Sequence, residues 1–399
     1  MYVLINIIGI LVVLALAYVS SLDRKKIKLW PIAVMVVLQF IVTWLMLTTT
    51  IGGTIIKGVA AFFVFLIDSA LEGVAFIVPD LVPQDGSGTM FFIGVLLPII
   101  FIVAFFDILT YFGIMPLLIN VIGWILSKLT GTPRFESFFA AQVMFLGNNE
   151  ALAVTRDQIS KMSDKRLLSM CMMGMSCVSA SVLGAYMTLL DPKYVLTAIP
   201  LNALGALIMS SLIVPYTVSK EEDVVYKPSK AERKNFFDVI STSMLTGGKM
   251  ALIIAAMLVG FTALIACING ILGIFNDSLT LEYLFSLIFA PLAFLMGVEW
   301  TEALKIARFM GEKLATNEFV AMTNLKDVLG TLKPHSQAVI STFLVSFCNF
   351  STIGIILGSV QALFGSEKSA YVAKYTWRLL LAGILVSCLT AMVVGLFVH

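Results

Sequence analysis

Eight apolar runs, near residues 1–21, 31–50, 94–127, 167–190, 194–216, 248–275, 336–363 and 375–398, are each long enough to cross a bilayer. A spanning helix needs about 20 apolar residues to cover roughly 30 Å of hydrocarbon. Lipid offers a bare backbone no hydrogen bonds, so runs of this length must satisfy their own amides as helices. Composition agrees: 59% of the 399 residues are hydrophobic and 13% are charged, with mean hydropathy +1.00. A soluble domain carries about 45–50% and about 25%. The expected fold class is an all-α polytopic membrane protein, a bundle of roughly eight to ten spans. Strand periodicity, heptads and low-complexity tracts do not occur.

The first run has no basic n-region and no A-x-A cleavage site, so it reads as a retained span. Arg24, Lys25, Lys26 and Lys28 follow it and place that loop in the cytoplasm, with the N-terminus outside. The run 94–127 exceeds what a bilayer needs, which predicts a tilted helix or a helix plus a bend. Residues 51–80 carry Gly52, Gly53, Gly58 and Gly73 with Asp68 and Glu72, and read as an interfacial helix. Pro79 to Gly88 reads as an external loop. The polar connection 217–236 reads as cytoplasmic, on a weak vote because its charges nearly balance.

Two stretches, 135–165 and 299–333, carry charges in mid-segment and are too short for two crossings each. Each has a polar, weakly helical centre: Gly147-Asn148-Asn149-Glu150 and Thr316-Asn317-Glu318. Bent backbone survives at membrane depth only where protein or a water-filled cavity surrounds it. Both therefore read as re-entrant hairpins.

The hairpin tips resemble each other, Asn149-Glu150-Ala151-Leu152-Ala153 against Asn317-Glu318-Phe319-Val320-Ala321, at an offset of 317 − 149 = 168. Downstream lie two interrupted helices, Cys177-Val178-Ser179-Ala180-Ser181 and Cys348-Asn349-Phe350-Ser351-Thr352, at an offset of 348 − 177 = 171. Two matches in one order at nearly one offset predict a duplicated unit. Three crossings between the copies make the repeat inverted, the sequence signature of a transporter with a midplane site. Lys305, Arg308 and Lys333 would then lie on the outer side, against the usual charge bias.

A carboxylate facing lipid costs about 2.5–3.5 kcal/mol on insertion scales, so Glu150 and Glu318 should face a cavity. Carboxylates accept charge-assisted bonds from hydroxyls, and Asn adds donors and an acceptor. That suits an uncharged, hydroxyl-rich solute. No Arg or Lys cluster converges on the tips, which disfavours phosphates and dicarboxylates; Arg156 and Arg308 lie toward the hairpin flanks. The net charge of +2 and the absence of a long basic tract give no sign of nucleic acid. Cys171, Cys177, Cys267, Cys348 and Cys388 lack metal-ligand spacing and read as packing residues. Only His335 and His399 are available for a catalytic centre, and His335 reads as interfacial. No metal, cofactor or enzyme activity is expected. Asp107 stands in an apolar span with no partner that sequence can name.

At this point the residues resemble the concentrative nucleoside transporter family, specifically its bacterial NupC-like permeases. Gly311-Glu312-Lys313-Leu314-Ala315-Thr316-Asn317-Glu318-Phe319-Val320-Ala321-Met322 fits the family signature of Gly or Ala, x, Lys, three free positions, then Asn-Glu-Phe-Val-Ala and Tyr, Phe or Met. Asn349-Phe350-Ser351-Thr352-Ile353 resembles its Asn-Phe-Ser-Ser segment. The resemblance implies eight transmembrane helices, two hairpins and interfacial helices, assembled as a homotrimer in the bacterial plasma membrane, with elevator-type alternating access. It also implies that Glu318, Asn349 and Thr352 bind ribose, that Asn148, Asn149, Glu150 and Val182 face the base, and that Phe347 lies beside the site. The corresponding division of the chain is 1–50 (first two scaffold helices), 51–134 (interfacial helix and third span), 135–216 (first repeat), 217–281 (loop and sixth span) and 282–399 (second repeat).

Two departures from the family pattern carry information. Where relatives have Gly-Gln-Thr-Glu or Gly-Gln-Ser-Glu, this chain has Gly147-Asn148-Asn149-Glu150, which leans toward purine nucleosides. Sodium-coupled members place an Asn and a Ser where this chain has Val143 and Cys177. Losing two oxygen ligands favours a coupling proton over sodium, with Glu150 or Glu318 as carrier, because burial raises a carboxylate's pKa. The rival readings are a transporter of another small polar solute, a membrane enzyme and a passive channel.

Overall fold

The computed structural model describes residues 2–82, 90–219, 222–225, 235–276 and 279–398. Most of the expected external loop, 83–88, and most of the 217–236 connection lie outside the described residues. The described chain is helical throughout, with nineteen α-helices.

Helices α1 (Tyr2–Val19) and α2 (Leu29–Thr48) are the first two spans, and α3 (Thr50–Ile77) follows after a single residue. The four glycines of the 51–80 stretch do not break α3, which is long and apolar enough to cross a membrane. The long run 94–127 resolves into a helix plus a bend. A short π-helical turn, Phe92–Leu96, leads into α4 (Pro98–Tyr111), and after Gly113 comes α5 (Ile114–Thr130).

The first hairpin is α6 (Arg134–Leu146), α7 (Asn148–Val154) and α8 (Arg156–Ile159). The first interrupted span is α9 (Asp164–Gly174) and α10 (Ala180–Leu189), followed by α11 (Pro192–Ile213). Helix α12 (Phe236–Gly273) starts well before the apolar run that announced it and reaches 38 residues. At 1.5 Å per residue it is about 57 Å long, so it must tilt or project beyond the hydrocarbon. Helix α13 (Leu281–Leu295) meets α14 (Trp300–Ala315) at 120°. The second hairpin is α14 and α15 (Glu318–Leu329). The second interrupted span is α16 (Pro334–Leu344) and α17 (Phe350–Phe364), and the chain closes with α18 (Ser366–Ala373) and α19 (Thr376–Gly395).

Contacts between element ends sort the molecule into two faces. On one face Leu22 N–H donates to Ile213 O (2.8 Å), Arg378 Nε donates to Ser20 O (3.1 Å) and Arg134 N–H donates to Asp223 (2.5 Å). Phe236 packs on Tyr111 and Phe112 there. This basic face holds the mouth of the first hairpin. On the opposite face Tyr2 donates to Glu299 and stacks on His335, at the mouth of the second. The hairpins enter from opposite sides, as an inverted repeat requires. Because α2 leaves at the opposite face and α4 ends at the basic one, α3 and its connection make no net crossing.

The core runs along α11 and α19, which are mostly buried, while few residues of α12 are buried. Its exposed Leu252, Ile253 and Val259 suit a helix with apolar surroundings in place of water. Four cysteines pack inside as expected, whereas Cys267 is exposed on α12. His335 is a correction: it is buried, with Nδ1 2.9 Å from Val398 O and Nε2 3.3 Å from Met296 O. Its neighbours are helix ends, so the ring faces protein rather than water or lipid. Asp107 gains its partner from α12, where Ser243 Oγ donates at 2.5 Å. Two of the three cations named in the second hairpin pair locally, Lys333 with Glu299 and Arg308 with Glu282 at 3.8 Å. The bias that orients loops counts Lys and Arg rather than net charge, so these cations still run against it.

Candidate functional site

Four helices begin near the middle of the bundle: α7 and α15 at the hairpin tips, α10 and α17 after the interruptions. A helix N-terminus carries unpaired N–H groups and a partial positive charge. Glu150 stands in the first turn of α7 and Glu318 in the first turn of α15. The two carboxylates offset those dipoles, leaving a polar region of low net charge.

The second tip is the more fully bonded. Asn317 caps α15, its Oδ1 accepting from Val320 N–H at 3.1 Å. Glu318 is buried, with Oε1 accepting from Tyr186 Oη (2.8 Å) and Oε2 from Asn349 Nδ2 (3.1 Å). Asn349 caps α17 through Oδ1, which accepts from Thr352 N–H (2.9 Å) and Ser351 Oγ (2.8 Å), with Thr352 Oγ1 2.9 Å away. Thr352 Oγ1 also lies 2.5 Å from the carbonyl of Phe347, whose side chain is half-buried beside the break. Glu318, Asn349, Thr352 and Phe347 are thus brought into one network.

The first tip is built differently despite its matching sequence. Gly147, at φ 85°, takes a left-handed conformation that an L side chain rarely adopts. It serves as the N-cap of α7, so Asn148, Asn149 and Glu150 form the first turn. Asn149 and Glu150 are open to solvent, whereas Asn148 is buried. The Asn149 Oδ1 accepts from Ser359 Oγ of α17 at 2.8 Å. The Asn148 amide lies against Gly174 of α9, where a Cβ would come within 2.0 Å of its oxygen. Neither amide atom of Asn148 has a protein partner among the described residues. Val182 is fully buried on α10, one turn before Tyr186 and on the same helix face. Ser179 and Ser181 hydrogen-bond each other at 2.6 Å.

Sequence reasoning missed Tyr186, Ser359 and Gly174. Tyr186 had one available signal, its i, i+4 spacing from Val182 in an interrupted helix. Each hairpin tip reaches a broken helix of the other repeat, Glu318 to Tyr186 and Asn149 to Ser359.

Comparison with known proteins decides what such a site belongs to. Residues 8–81 match the model described as Na+ dependent nucleoside transporter N-terminus, and residues 194–395 match its C-terminus counterpart. Residues 92–193 match a model described as nucleoside recognition. The chain belongs to the concentrative nucleoside transporter family. It is 48% identical over 398 residues to the purine nucleoside transport protein NupG of Bacillus subtilis, covering all of both chains. It is 32% identical to the nucleoside permease NupC of Helicobacter pylori, covering 99% of this chain and 98% of that one. Among solved structures, CNTnw in an inward-facing substrate-bound state superposes with a TM-score of 0.92 at 31% identity, over 100% of this chain and 98% of that one. The chain is therefore a multi-pass nucleoside transporter of the cell membrane, not an enzyme.

Proposed function

We propose that this protein imports nucleosides, purine nucleosides by preference, coupled to a proton, as a homotrimer working by elevator-type movement. The observation that carries the reading is the Glu318–Asn349–Thr352 network. Two of roughly four acceptor positions on a carboxylate are filled by Tyr186 and Asn349, which leaves others for the hydroxyls of a ribose. In this reading Glu318, Asn349 and Thr352 hold the sugar, while Asn148, Asn149, Glu150 and Val182 face the base and Phe347 flanks it.

The purine preference is supported by the Asn148-Asn149 pair and by the name of the Bacillus relative. The proton is supported by Val143 and Cys177, both buried, which offer no hard oxygen to a sodium ion. Glu150 and Glu318 are the candidate carriers. One charge moving down 100 mV supplies about 2.3 kcal/mol, or roughly fiftyfold accumulation. The test is uptake of radiolabelled inosine into proteoliposomes under imposed gradients, with Glu318→Gln as control. An inward proton gradient should drive accumulation and an inward sodium gradient should not. Accumulation that follows sodium alone overturns the coupling, and a preference for cytidine over inosine overturns the purine assignment.

A further inference from the structure

Lys313 belongs to the family motif, yet the nucleoside site described above gives it no task. It is buried, 1% exposed, on the fourth turn of α14. No ion pair between it and a described carboxylate occurs. Instead its Nζ donates to Phe343 O (2.6 Å), Ser346 Oγ (2.6 Å) and Ser387 Oγ (3.4 Å), and it lies 4.6 Å from the Phe343 ring centre.

These acceptors sit where α16 stops. A helix leaves its last carbonyls unpaired, and the interruption adds more. Their partners can be counted. Phe343 O is held by Lys313, Val345 O by Asn202 of α11, and Phe347 O by Thr352. Ser346 is tied in turn to Ser387 of α19 at 2.7 Å. A cation at a helix C-terminus also opposes the helix dipole. Three residues beyond Ser346 stands Asn349, and five beyond Lys313 stands Glu318. By the 168-residue offset Lys313 corresponds to Phe145, so the first interruption has no such cation.

We propose that Lys313 is a positioning residue of the solute site: its ammonium is a built-in cation that caps the broken end of α16 and so fixes where Asn349 and Glu318 meet. The proposal rests on the reading that these two residues bind the nucleoside. The test uses the full-length protein in proteoliposomes, comparing wild type with K313M and K313A, the latter with and without ethylammonium. Leaving the buried acceptors unmatched should raise KM for inosine about tenfold or more, with a smaller change in the maximal rate. Ethylammonium should restore much of the K313A loss and raise its melting temperature, and should leave K313M unmoved because the Met side chain fills the space. A residue that only packs would be replaced well by Met, and no amine would help its absence. K313M with a wild-type KM, or folded K313A that ethylammonium neither stabilises nor reactivates, overturns the proposal. Should E318Q take up inosine normally, the site reading fails by itself, because the melting response of K313A reports the cap without any uptake.

Discussion

Tyr186→Phe isolates one bond in the candidate site. The tyrosine ring packs edge-on against Phe319 at 5.0 Å between centres, and a phenylalanine ring keeps that contact. What disappears is the hydroxyl that donates to Glu318 Oε1 at 2.8 Å. A hydrogen bond to a charged group contributes about 1.5–3 kcal/mol. In the unloaded protein water can replace the donor at part of that cost. Once a nucleoside fills the cavity water is excluded, so the penalty falls on the bound state.

The expected outcome is therefore weaker binding, with roughly 10- to 150-fold in Kd as the upper limit at 1.4 kcal/mol per factor of ten. Calorimetric titration of the purified protein with inosine measures it directly, with KM for uptake as the second reading. The double variant Y186F/E318Q should bind no worse than E318Q alone, since neutralising the carboxylate removes the charge that made the bond strong. Such non-additivity is the signature of two groups acting through one contact. A Y186F protein whose Kd stays within twofold of wild type would refute the assignment of Glu318 to the solute. So would full additivity in the double variant.

Other perturbations test other parts of the site. Asn349→Ala removes both the α17 cap and a donor to Glu318, and should abolish uptake while costing about 0.5–2 kcal/mol of stability, read as a lower melting temperature. Glu136→Gln weakens the bidentate pair with Arg166, Nε to Oε1 at 2.8 Å and Nη2 to Oε2 at 3.2 Å, which Tyr216 also joins at 2.9 Å. Leaving the buried Arg166 without its counter-charge should cost about 3–5 kcal/mol, so thermal unfolding in detergent should show a large fall that Arg166→Met in the same chain partly reverses. Gly174→Ala should push the Asn148 amide from its seat and lower affinity for purine nucleosides more than it lowers expression, as competition for inosine uptake would show. Val143→Asn combined with Cys177→Ser should introduce sodium-dependent uptake, measured as the ratio of rates in sodium and choline media.

The hairpins and interruptions were legible because lipid punishes mid-segment charge and bent backbone, and both leave marks in a linear sequence. The family resemblance implied Glu318, Asn349 and Thr352 as a group, and the structure joins them in one network. Tyr186 was hidden because its partner lies 132 positions away, and an aromatic residue in an apolar helix announces packing before it announces a bond. Gly174 carries no signal in the linear sequence, because the Asn148 amide that lies against it comes from a different element. The matching tip sequences also concealed a difference of register. Asn317 is itself the cap of α15, whereas Gly147 caps α7 and moves Asn149 into the helix. His335 misled for a related reason: the residues that bury it come from α1, the turn after α13 and the end of the chain.

The crossed contacts between repeats bear on how such a site could open. If each hairpin were held only by its own broken helix, either could swing away by itself and expose the solute to one side. Here the second tip is bonded to α10 through Tyr186 and the first to α17 through Ser359, with Arg156 Nε to Leu363 O (3.1 Å) and Lys368 Nζ to Ser160 O (3.3 Å) adding to the second crossing. Swinging either hairpin out breaks bonds to the other repeat, and for the second hairpin the bond lost ends on a buried carboxylate. Moving both hairpins and both broken helices as a single body breaks none of them, which favours the elevator reading over a pair of independent gates. Locking α8 to α17 with a Cys pair at Arg156 and Leu363, which meet outside the residues assigned to the solute, on a background lacking the exposed Cys267, separates the two. Independent gating requires the lock to stop uptake by closing the first hairpin, whereas rigid-body movement leaves uptake under oxidising conditions at a substantial fraction of its reduced value.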